Sequence, residues 1–186
     1  MDDESDRALS RAPELEDLLA LCRALRAEGV RYLLIGGFAV ILHGFVRTTK
    51  DVDLLVDPSD ENVAAIKRAL ATLPDNAVSQ VEDDDVRRHS VVRVADEIVV
   101  DLMASACGIT YDEGLEQDIE ERLVEDVVIP LAGKRLLIRM KDTFGTPTGW
   151  TWVPPVADRR RREVGGPGAG IDRARDPDGS RPHRGS

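Results

Sequence analysis

Tyr32-Leu33-Leu34-Ile35-Gly36-Gly37-Phe38-Ala39-Val40-Ile41-Leu42-His43-Gly44, followed after a short polar stretch by Asp51-Val52-Asp53-Leu54-Leu55-Val56, is the segment whose reading decides the fold. Its first four residues form an apolar run too short for a helix and closed by glycines, which predicts a buried strand. Phe38 to Leu42 predicts a short helix ending at Gly44. Asp51 to Val56 predicts a second strand, and its period of two puts Asp51 and Asp53 on one face while Val52 and Leu54 face the other way. Two carboxylates sharing one small space repel each other unless a cation sits between them. Magnesium, an oxygen-seeking ion that binds through one or two carboxylates plus substrate phosphates, suits that space. Gly36 and Gly37, at a strand-to-helix turn, would let backbone N–H groups approach an anion such as a phosphate.

Working outward, Leu15, Leu18, Leu19, Cys22 and Leu25 form one apolar stripe of a helix over residues 13–28, with Gly29 as its stop. Asp57-Pro58 predicts an N-cap and a first-turn proline for a helix running to about Leu73. Glu82 to Asp85 reads as a solvated acidic loop, with adventitious cation binding as the alternative. Ser90 to Val94 and Glu97 to Met103 read as a hairpin turning at Ala95-Asp96. Val127 to Ile129 and Arg135 to Ile138 read as a further pair of adjacent strands. The fold class expected is α/β (α+β): a mixed sheet with antiparallel pairs, flanked by helices.

Asp101 ends the apolar run Ile98-Val99-Val100 and is a third candidate metal ligand; the alternative is a strand-end carboxylate paired with an arginine such as Arg93. Three carboxylates suit two metal ions. Arg47 and Lys50 could neutralise phosphates beside them or serve as loop salt-bridge partners, and Lys141 is a further candidate phosphate contact. His43 reads as a packing or capping residue rather than a base.

Composition changes character near residue 145. Residues 1–144 hold 17 Lys+Arg, 30 Asp+Glu and 19 leucines; residues 145–186 hold 8 basic and 5 acidic residues and no leucine, with 8 of the 15 glycines and 6 of the 10 prolines. The organisation expected is a flexible N-terminus (1–12), a catalytic domain (13–144) and a tail (145–186) that is disordered or read from a shifted frame. The run Arg159-Arg160-Arg161-Arg162 belongs to that tail and reads as a solvated or out-of-frame charge run. The formal charge of −10 disfavours general coating of nucleic acid. Two cysteines without metal-ligand spacing argue against a disulfide framework or a zinc site. An acidic N-terminus and the lack of a long apolar run predict a cytoplasmic protein without a membrane span.

Ile35-Gly36-Gly37, thirteen residues, then Asp51-Val52-Asp53-Leu54 resembles the signature of the DNA polymerase β-like nucleotidyltransferase superfamily. The longer string from Gly36 to Asp53 is similar to its bacterial branch of abortive-infection toxin-type nucleotidyltransferases, and the resemblance spans about residues 15–144. It implies the nucleotidyltransferase fold and magnesium-dependent transfer of a nucleoside monophosphate from a nucleoside triphosphate such as ATP, with release of pyrophosphate. It also implies roles: Asp51, Asp53 and Asp101 as metal ligands, Asp101 assisting deprotonation of the attacking hydroxyl, and Gly36 and Gly37 contacting the triphosphate. In such relatives the acceptor is a transfer RNA end, an aminoglycoside or a partner protein, and a toxin-antitoxin role is implied. Relatives continue past the Lys141 region with a helix that this sequence does not show. A different class of function therefore stands beside the enzyme, a catalytically silent, antitoxin-like interaction module. A kinase-type activity is disfavoured because neither GxGxxG nor GxxxxGK[ST] is present.

Overall fold

The computed structural model describes residues 10–143. Residues 1–9 and 144–186, which include most of the expected flexible N-terminus and the whole of the expected tail with its arginine run, lie outside the described residues.

Helix α1 (Leu15–Ala27) buries Leu18, Leu19, Cys22 and Leu25 of the expected stripe and Leu21 beside them, whereas Leu15, in the first turn, is exposed; Glu14 and Asp17 close a capping box at its start. Gly29, with φ +67°, turns the chain after it. Strand β1 (Tyr32–Leu34) leads into helix α2 (Gly36–Leu42), whose first turn includes both glycines, and β2 (Asp51–Val56) follows. Helix α3 (Asp60–Leu70) starts two residues later than expected, with Ser59 at its N-cap, and ends at Leu70 rather than near Leu73. The expected cap, Asp57, instead accepts hydrogen bonds from the Ser59 N–H (2.8 Å) and from Arg31 Nε (2.6 Å), tying the chain ahead of the helix to the start of β1.

The acidic stretch Glu82 to Asp84 is a largely exposed loop and turn as expected, lying between a 3₁₀ turn (Ala77–Gln80) and the short helix α4 (Asp85–Arg88), which takes up the last of its acids. Its charges have partners there. Asp83 pairs with Lys67 (2.7 Å), Asp84 with Arg88 (2.6 Å), and Asp85 accepts from the Glu82 N–H (2.9 Å). The expected hairpin is present as β3 (Val92–Ala95) and β4 (Val99–Met103), antiparallel. Two short strands, β5 (Ser105–Ala106) and β6 (Ile109–Thr110), and helix α5 (Tyr111–Leu115) precede the final hairpin.

That hairpin corrects the sequence expectation. Val127 to Ile129 belongs to β8 (Val127–Ala132), but its antiparallel partner is β7 (Ile119–Val124), whereas Arg135 to Ile138 lies inside helix α6 (Lys134–Thr143). Helical spacing explains the change, because Leu136 and Met140 are buried while Ile138 is exposed. Asp118 supplies the helix start from outside the local sequence. Its carboxylate accepts from the Arg135 N–H (2.9 Å), and its own carbonyl accepts from the Gly133 N–H (2.7 Å).

The main sheet has the order β3-β4-β2-β1-β8-β7 and mixes parallel and antiparallel pairs. The chain is therefore a mixed α/β fold with a mixed sheet flanked by helices. One face carries Leu34, Val52, Leu54, Val56, Val100, Ile129 and Leu131 against the apolar stripes of α1 and α3. The other carries Leu33, Leu55 and Ala132 against residues of α5 and α6. Among the described residues no helix is long and apolar enough to cross a membrane.

Candidate active site

Strand alternation places Asp51 and Asp53 on the same face as Leu55, and Asp101 on the same face as Met103. The parallel register of β2 with β4 sets Asp53 directly beside Asp101. Asp51, Asp53 and Asp101 each bring one carboxylate oxygen within 4.8 Å of the other two. Asp101 is 5% exposed, and the other two are half-buried. The site thus sits where β2 leaves the loop after α2, at the end of the sheet face that α5 and α6 cover farther along.

Crowding changes the proton affinity of the central group. Burial pushes the Asp53 carboxyl up to about 7, and the neighbouring Asp51 and Asp101 charges push the same way; the Gly37 backbone and Arg47 oppose them. Three carboxylates brought this close could hold a hard divalent cation, which would remove the repulsion and accept oxygen ligands.

The glycines have a steric task that their sequence did not reveal. Gly36 adopts φ +62°, and a Cβ there would overlap the Asp53 carboxylate. A Cβ on Gly37 would overlap the Thr49 side chain. Absence of side chains at both positions therefore gives Asp53 and Thr49 their places. The Ile35 N–H donates to the Asp53 carbonyl (3.0 Å), locking the turn against β2.

Thr49 is a site residue that sequence reasoning did not single out. Its Oγ1 donates to the Asp51 carbonyl (3.1 Å) and lies 3.4 Å from Asp51 Oδ1. Its one signal was position, two residues before Asp51 and four before Asp53. The other is Arg93, weighed only as an alternative partner for Asp101. It is the cross-strand partner of Asp101 on β3, and its guanidinium donates from Nε (2.9 Å) and Nη2 (2.8 Å) to the two carboxylate oxygens. Arg93 Nη2 also stands 3.8 Å from Asp51 Oδ2.

The basic candidates divide. Burial lowers the proton affinity of the half-buried Arg47, and the charges of Asp53 and Asp51 act in the opposite sense, which places this guanidinium in the field of the site. Lys50 is exposed just before β2, and Lys141 is half-buried in the last turn of α6; neither is among the groups that shift Asp53. His43 closes α2 and packs inward, with Nε2 2.9 Å from the Ala132 carbonyl, as a packing and capping residue should.

No protein-family model matches the chain, and no curated protein matches it either. Among solved structures, the crystal structure of a "putative nucleotidyltransferase" from Thermotoga maritima is similar at 17% identity and a TM-score of 0.49, covering 70% of this chain and 84% of that one.

Proposed function

We propose that the chain is a magnesium-dependent nucleotidyltransferase that moves a nucleoside monophosphate from a nucleoside triphosphate, ATP among the candidates, to an acceptor hydroxyl. The observation that supports this most is the meeting of Asp51, Asp53 and Asp101 on one sheet face beside a glycine turn. Asp51, Asp53 and Asp101 hold the magnesium, one ion or two, and the metal when bound supplies charge neutralisation for the attacking and leaving oxygens. The acceptor oxygen bonds to the α-phosphorus, the bond to the pyrophosphate oxygen breaks, and the hydroxyl proton passes to Asp101. Arg47 offers its charge to the triphosphate, with Lys50 and Lys141 as outer contacts. The backbone of Gly36 and Gly37 would contact the same phosphates once the metal holds Asp53. The acceptor is a transfer RNA end, a protein hydroxyl or a small molecule such as an aminoglycoside, and a toxin-antitoxin role in the cytoplasm fits such a transfer.

Incubation with each labelled nucleoside triphosphate, magnesium and total transfer RNA, protein or aminoglycoside should label one acceptor class. Asp53→Asn should lower the signal by on the order of 10²–10³-fold, the scale of losing one group that stabilises transition-state charge. A second reading, the silent interaction module, is favoured by the Arg93 fork on Asp101, which already balances one ligand charge. Absence of both transfer and magnesium-dependent nucleotide binding would select it and reject the enzyme.

A further inference from the structure

We propose that Arg93 is a built-in counter-cation of the metal site, one that must leave Asp101 for a divalent ion to bind and that turns to the triphosphate when it does. The inference rests on the nucleotidyltransferase reading of the same three carboxylates.

Its basis is geometric. Both Asp101 oxygens are taken by one planar fork, the strongest form of arginine–carboxylate pairing, and the same guanidinium reaches toward Asp51. A divalent ion among these oxygens would stand within a few ångströms of that positive charge, and like charges at such range repel strongly in a partly buried site. The fork and the ion therefore compete for Asp101. Arg93 has room to yield. It lies on β3, the outermost strand of the sheet, and its side chain is 32% exposed, so its long stem can swing along the edge. A triphosphate brought in with the metal offers the displaced guanidinium new oxygens of equivalent chemistry. Metal and nucleotide should then bind with positive coupling, each removing part of the other's cost, and by linkage the coupling is reciprocal.

Manganese binding to the full chain, followed by loss of the free-ion electron paramagnetic resonance signal, tests this without any turnover. Arg93→Gln should tighten manganese about tenfold in the absence of nucleotide. A non-hydrolysable triphosphate analogue should tighten manganese in the wild type, and Arg93→Gln should reduce that gain. Arg93→Lys keeps the charge and should stay within about threefold of the wild type. An unchanged or weaker manganese affinity in Arg93→Gln would overturn the proposal, since it would mean that Arg93 only positions Asp101. Should Arg93→Gln not fold, the Arg93 Nε–H resonance of the wild type, identified by its loss in Arg93→Lys, decides. It should move on magnesium addition, and binding that left it unmoved would overturn the proposal. If neither wild type nor variants bind manganese, the carboxylate site itself is refuted, and this inference falls with it.

Discussion

Asp96 and Asp53 are both shielded aspartates, yet the protein treats them in opposite ways. Asp96, 2% exposed, accepts from the backbone N–H groups of Asp75 (3.0 Å), Ala77 (2.9 Å) and Glu97 (2.8 Å). Burial alone would raise its carboxyl, but those bonds outweigh burial and hold it below the usual range. Asp53 faces two other carboxylates and is raised to about 7, burial being the largest cause. The first arrangement is complete within the chain and fixes the turn before β4. The second crowds carboxylates together, with Arg93 and Arg47 as the opposing charges, and acids so placed could hold a cation.

Substitutions should separate the two arrangements. The largest effect on stability is expected from Gly36→Ala, which combines a strained backbone at φ +62° with overlap on the Asp53 carboxylate. Unfolding in urea should show a loss of about 2–4 kcal/mol, and metal affinity should fall with it. Asp96→Asn comes next, at about 1–3 kcal/mol, because one of its backbone donors loses its acceptor. That variant should leave metal binding unchanged. Asp53→Asn should do the reverse, abolishing metal-dependent stabilisation while leaving the metal-free protein as stable as the wild type or more so at pH 8.

The smallest effect is the pH dependence, and its sign differs between the two aspartates. With its carboxyl raised above the ordinary 3.8, Asp53 binds a proton in the folded protein that the unfolded chain has released. Its contribution is most favourable below about pH 4 and is lost as the pH rises through about 7. Asp96, held low, contributes above its ordinary value and loses that contribution only as the pH falls through its lowered one. With an allowance for the solvent that still reaches Asp53, the wild type should lose about 1–2 kcal/mol between about pH 5 and pH 8 relative to Asp53→Asn, and saturating magnesium should remove the difference. Urea midpoints at the two pH values, with and without magnesium, check it.

The centre of the molecule is legible in the sequence because its signals there are local. Strand alternation over Asp51 to Val56 needs no partner to be read, and the apolar run Tyr32 to Ile35 with its glycines marks a buried strand end by itself. The helix at Arg135 to Ile138 reads as a strand because Leu136-Leu137-Ile138 is a short apolar run, and such runs carry no period. What decides it is Asp118, far earlier in the chain, whose carboxylate holds the helix start. Strand β7 escapes a sequence reading since three charged residues in a row, Glu120, Glu121 and Arg122, break any apolar alternation in it and it lies at the sheet edge, half exposed. At the site, the three aspartates are legible as residues, and so is Arg93 as a partner for Asp101 across the expected hairpin; that Asp53 stands beside Asp101 is set by the parallel register of β2 with β4, which no local pattern contains. The glycines read as a phosphate turn, while their closeness to Asp53 and Thr49 depends on how α2 meets β2.

The central claim is that Asp51, Asp53 and Asp101 form one cation site. Calorimetric titration of magnesium into the wild type, Asp53→Asn and Asp96→Asn at about pH 8, where Asp53 has released its proton, tests it most directly. Binding should appear in the wild type, persist in Asp96→Asn and vanish in Asp53→Asn. Equal binding in wild type and Asp53→Asn, or none in the wild type with triphosphate present, would contradict it.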